Sequence, residues 1–109
     1  MEFHKSKMIE VKVGQVYQIR EETDPDLWCH LMIFQDERDS QGNYPHKHLE
    51  YPSKVVITRE KHISNGRWVI EVQVANVISP LLSDLEKRWI CREGDLREDT
   101  IQLVDHGTP

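Results

Sequence analysis

At 109 residues, with 38% hydrophobic and 30% charged side chains, the chain has room for one domain, residues 1–109, built on a thin core. Its net charge of −5 argues against a general nucleic-acid binder, because affinity for phosphates comes mainly from clustered Lys and Arg. The longest apolar run, Leu31–Phe34, is far too short for a membrane span, and Glu2, Lys5, Lys7 and Glu10 do not suit a signal peptide, so no membrane partner and a cytoplasmic location are expected.

In that compartment Cys29 and Cys91 are expected as free thiols. Ile9, Val11 and Val13 alternate with Glu10 and Lys12, the period-two pattern of a half-buried strand. A bend at Gly14-Gln15 then separates this strand from a second one over Val16–Ile19. Asp24-Pro25-Asp26 reads as a turn. Leu27–Phe34 is almost wholly apolar and suits a central strand. Gln35–Ser53 follows, with Gly42, Pro45 and Pro52, and reads as a long loop of the length usually reserved for function.

Val55–Ile63 and Arg67–Val77 form a hairpin, with Trp68, Ile70, Val72 and Val74 on one face and Glu71 and Gln73 on the other. Two registers are open. A two-residue Asn65-Gly66 turn sets Glu60 opposite Glu71, whereas a three-residue Ser64-Asn65-Gly66 loop sets Arg59 opposite Glu71 and Val56 opposite Val74. The like-charge pair disfavours the first, so the three-residue loop is preferred. Ser79-Pro80 opens a short helix with Leu81, Leu82, Leu85 and Trp89 on one face. Trp89-Ile90-Cys91 reads as a return strand, Glu93-Gly94-Asp95 as a turn, and Thr100–Val104 as the last strand.

These elements imply a mainly β fold, either a small barrel or a strongly bent antiparallel sheet, with one short helix. Val11-Lys12-Val13-Gly14-Gln15-Val16-Tyr17, together with Arg92-Glu93-Gly94-Asp95-Leu96 ahead of Thr100–Val104, resembles the opening and close of small SH3-like β-barrel proteins of bacterial and phage origin. The resemblance implies a fold and no activity. The Gln35–Ser53 stretch and the Ser79–Trp89 segment depart from its pattern of compact loops.

Chemistry-bearing motifs are few. On an extended segment His46, His48 and Glu50 point the same way, as ligands of a metal-dependent hydrolase would. No Cys or His stands at a companion spacing, and Lys47 would oppose a cation, so no metal or other cofactor is expected. Cys29 lies in an apolar run with His30 facing the other way, and Cys91 has no histidine near it in sequence, so neither is expected to be a nucleophile. No Gly-rich phosphate loop is present. Trp68 and Trp89 occupy patterned apolar positions and are expected in the core.

The expectation is therefore a non-enzymatic protein-interaction module, of the kind found among phage accessory proteins that bind and inhibit or modulate a host protein. The partner would meet the long loop and its acidic surface, with Trp28, Asp36, Glu37, Asp39, Tyr44 and Tyr51 as contact residues; aromatic side chains are favoured interface anchors. The competing reading is a nucleic-acid-binding barrel. Residues 45–67 carry five basic side chains (Lys47, Lys54, Arg59, Lys61, Arg67) against two acids, with Tyr44 or Tyr51 available for stacking.

Overall fold

A computed structural model describes residues 6–23, 29–75 and 88–105. The strands are β1 (Val16–Ile19), β2 (Leu31–Phe34), β3 (His46–Leu49), β4 (Lys54–Ile57), β5 (His62–Ser64), β6 (Arg67–Val74), β7 (Trp89–Arg92) and β8 (Ile101–Asp105). All pair antiparallel in one open sheet ordered β3-β2-β7-β6-β4-β1-β8, with β5 also on β6. The fold is mainly β, as the sequence implies. A single 3-10 turn, Glu93–Asp95, is the only helical element among the described residues. The expected helix over Ser79–Trp89 lies outside them up to residue 87, while Trp89 itself begins β7.

Alternation dictates which side chains meet. Tyr17 and Ile19 of β1, Leu31 and Ile33 of β2, Val55 and Ile57 of β4, Ile70, Val72 and Val74 of β6, and Trp89 and Cys91 of β7 all point to one face. With Leu49, Leu96 and Ile101 they make one cluster. Strands β1 and β2 have three other strands between them in the sheet, yet their side chains share this core, so the sheet curls around it. Each fully buried Leu or Ile here contributes about 1.5–3 kcal/mol. On the opposite face Phe34, Val69 and Ile90, with Met32 against them, form a smaller cluster.

The residues before β1 keep their alternation without becoming a strand. Ile9 and Val11 pack on the core while Glu10 and Lys12 are exposed, but the backbone makes only an isolated bridge, Met8 to Arg97. Ile9 N–H donates to the Leu96 carbonyl at 2.7 Å and Glu98 N–H to that of Lys7 at 2.9 Å. At the far end Gly14, with a positive φ of 91°, donates to the Ile57 carbonyl at 2.8 Å. Residues 7–14 thus form a strap tied down at both ends. Its partner at the Met8 end is the irregular stretch 96–98, and this explains why no ladder extends along it.

The long loop expected over Gln35–Ser53 contains β3, which pairs with β2 from Leu31↔Leu49 to Phe34↔His46. What remains is a closed turn. Asp39 Oδ1 accepts the backbone N–H groups of Gln41 and Asn43, both at 2.9 Å, and Gln35 N–H donates to the Pro45 carbonyl.

The hairpin register also departs from expectation. Ser64 pairs with Arg67, so the turn has two residues, and Asn65 and Gly66 both hold positive φ, 52° and 79°, as a type I′ turn requires. The like-charge pair is avoided by a different device. Ile57 faces Val72 and His62 faces Val69, so four residues on one side span what Ile70 and Glu71 span on β6. Thr58 stays in the ladder, its N–H donating to the Glu71 carbonyl at 3.0 Å and its hydroxyl to Glu71 Oε1 at 3.1 Å. Arg59, Glu60 and Lys61 bulge outward. The expected single strand Val55–Ile63 is therefore split into β4 and β5.

The turn geometry yields a test. Gly66→Ala should destabilise the protein by about 1–2 kcal/mol, because an L side chain resists the left-handed region, whereas Gly94→Ala, with no positive φ and open space for the added Cβ, should change stability by less than about 0.5 kcal/mol. Urea denaturation midpoints distinguish the two.

Candidate functional site

Trp89 is core as expected, at 2% exposure, but Trp68 is not: it stands 48% exposed. The reason is positional. Trp68 lies two residues from the hairpin turn, opposite Ile63, beyond the point where the sheet closes on its core. Its face is the core face of β6, so it looks along the surface toward the strap. Met8, Ile9, Val11 and Val13 of the strap, Arg59, Glu60 and Lys61 of the bulge, and Trp68 and Ile70 of β6 line a groove of about 1110 Å³. Met8 and Val13 are as exposed as Trp68, at 49% and 52%.

The groove is apolar along its floor and charged at its rim. Lys61 Nζ sits 5.2 Å above the Trp68 ring and 3.2 Å from Glu93 Oε2. The ammonium holds the indole face by cation–π attraction, while the exposed ion pair itself adds little, about 0.2–1 kcal/mol. Arg97 anchors the strap beneath, its Nε donating to Ser6 Oγ at 3.0 Å and its Nη2 to the Ser6 carbonyl. The wall carrying Met8 is thus pinned to the body of the fold.

The contact residues expected from sequence are spread over separate places. Asp36 accepts a hydrogen bond from Asn65 Nδ2 at 2.5 Å, so its carboxylate ties the β2–β3 turn to the hairpin tip. Asp36 and Glu37 line a second groove, of about 740 Å³, with His62, Ile63, Arg59 and Arg88. Asp39 organises its own loop. Tyr44 is exposed, with the Arg38 guanidinium 5.3 Å from its ring centre. Tyr51 is exposed beside Arg20 and Cys29, in a third location. Trp28 lies outside the described residues. Sequence reading passed over Trp68, Met8 and Val13 as contact residues; the signal for Trp68 was its closeness to an Asn-Gly turn.

Burial pushes the Cys91 thiol up to about 12, with Asp95 adding to the rise. A thiol so placed is not a nucleophile. Burial likewise raises Tyr17, whose hydroxyl donates to Gln15 Oε1 at 2.7 Å. Cys29 is only partly buried and its Sγ lies 3.6 Å from the Asp99 carbonyl. Among the described residues no three or more His, Cys, Asp or Glu side chains stand as a ready metal cage, and no helix is long and apolar enough to cross a membrane.

The chain matches no protein-family model, no curated protein and no solved structure. The site therefore rests on its own geometry.

The two cysteines should separate cleanly under alkylation of the native protein, with Cys29 modified first and Cys91 only on unfolding. The raised Cys91 pKa also fixes a sign. Below its unfolded value of 9.0 its contribution to stability is complete; between there and about 12 the unfolded thiol ionises and the buried one does not, so that contribution is lost. Cys91→Ala should accordingly lose stability less steeply across that window in parallel denaturation curves.

Proposed function

We propose that the chain is a protein-interaction module that takes a short partner segment into the groove between the strap and Trp68. The observation that supports this reading is the half-exposed Trp68 indole, held by Lys61 in a groove with Met8 and Val13, on a strand whose other side chains of the same face, Ile70, Val72 and Val74, are buried. Tryptophan is among the residues most enriched as anchors of protein interfaces. The rim carries Lys12, Arg59 and Lys61 against Glu10, Glu60 and Glu93, an even balance of sign. The fitting partner segment presents aliphatic or aromatic anchors with little net charge.

This moves the contact surface away from the acidic loop. Asp36 and Asp39 are engaged in holding the β2–β3 turn, so their carboxylates serve the fold before any partner. The nucleic-acid reading draws less support. Lys47 lies over the Trp89 ring at 5.6 Å and Lys61 is shared between Trp68 and Glu93, which scatters the basic stretch across different surfaces.

Selection of a random peptide library on the intact protein tests the reading. Enriched peptides should share apolar anchors, and Trp68→Ala should weaken them by at least about 2 kcal/mol while changing folding stability by less than about 1 kcal/mol. Absence of enrichment, or peptides indifferent to Trp68→Ala, would overturn it.

A further inference from the structure

The groove between the strap and the bulge is a ladder that opens. Gly14 N–H donates to the Ile57 carbonyl at 2.8 Å and Ile57 N–H to the Gln15 carbonyl at 3.0 Å, continuing the antiparallel pairing of β1 with β4 past Val16↔Val56. Beyond these rungs the two chains part. No backbone hydrogen bond joins residues 8–13 to residues 59–61, and the two stretches become the walls of the groove.

The strap turns part of its backbone to that gap. In an extended segment successive residues direct their N–H and C=O groups to opposite sides. Ile9 N–H donates to the Leu96 carbonyl and the Lys7 carbonyl accepts from Glu98 N–H, so Lys7 and Ile9 face residues 96–98. Met8, opposite Arg97 in its bridge, and Glu10 therefore direct their backbone groups the other way, to the side of the gap. No described residue bonds to the backbone N–H or C=O of either.

We propose that the partner segment enters this gap as an added β-strand, pairing its backbone with Met8 and Glu10 while alternate side chains pack on Trp68 and Ile70. This rests on the interaction-module reading and adds how the segment is held. Backbone pairing supplies affinity in such additions, and the pockets for every second side chain supply selection. Residues 8–13 offer roughly 17–20 Å of extended chain, the length of an ordinary strand. The occupant is an extended partner segment with apolar residues at alternate positions and uncharged polar residues between them, because the rim holds as many cations as anions. Proline is excluded where the segment's N–H must pair.

Amide hydrogen exchange of the full chain, followed by NMR, tests the proposal. The probe is a set of capped hexapeptides in which Val, Ile or Phe alternates with Thr, Ser or Gln. At saturation the Met8 and Glu10 amides should exchange at least about tenfold more slowly, while Ile9, already bonded to Leu96, should change less. N-methylation of one alternate set of peptide amides should weaken binding by at least about tenfold, and of the other set by less than about threefold. Binding that is lost with Trp68→Ala but leaves the Met8 and Glu10 amides fast, or that is indifferent to which set is methylated, overturns the added strand and leaves the interaction reading standing. Slowing produced by raising the concentration of the protein alone puts a second copy in the gap and overturns it too. No hexapeptide binding sensitive to Trp68→Ala overturns both.

Discussion

The outward bulge at Arg59, Glu60 and Lys61 is the constraint on which the arrangement of the molecule depends. The Asn65-Gly66 turn fixes the register of β5 on β6, and the buried faces of β4 and β6 fix another, two residues out of step. A continuous ladder from the turn would put Glu60 against Glu71. It would also shift β4 on β6 by two residues, carrying Val55 and Ile57 away from their present partners Val74 and Val72. Extruding three residues reconciles the two registers. Glu71 gains Thr58 as its neighbour, and Lys61 is carried to where it reaches both Trp68 and Glu93.

The same bulge makes one wall of the groove. Its other wall, the strap, depends on hydrogen bonds to residues 96–98 at one end and to Ile57, the last residue of β4, at the other. Residues far apart in sequence therefore meet at Trp68 only because β4 ends where it does. The pairing of β2 with β3 is a separate feature. That pairing is held by Leu31 and Leu49 on the core side and by the closed Asp39 turn at its tip.

Much of the fold was legible because alternation survives even where hydrogen bonding does not. Ile9 and Val11 face inward as their pattern implies, though their segment pairs with nothing regular. The strand expected over Leu27–Phe34 forms only over Leu31–Phe34, with Cys29 and His30 ahead of it outside the ladder, while Trp89–Cys91 and the final strand lie within a residue of where their composition places them. The β3 strand was hidden because His-Lys-His-Leu offers only Leu49 to the core, while neighbouring Gly42, Pro45 and Pro52 signal a loop. Trp68 was misplaced because its alternation with Ile70 and Val72 is real, but the core ends before it reaches the hairpin tip. His30 comes within 5.0 Å of His48, ring centre to ring centre, through strand pairing, a relation between distant residues that local spacing does not carry.

Cross-strand nuclear Overhauser contacts measure the register directly. A ladder broken at the bulge gives contacts that join Val56 to Gln73 and His62 to Val69, with Arg59, Glu60 and Lys61 absent from it. Contacts joining Glu60 to Glu71, or Arg59 to Glu71 together with Val56 to Val74, would mean an unbroken hairpin and would contradict it.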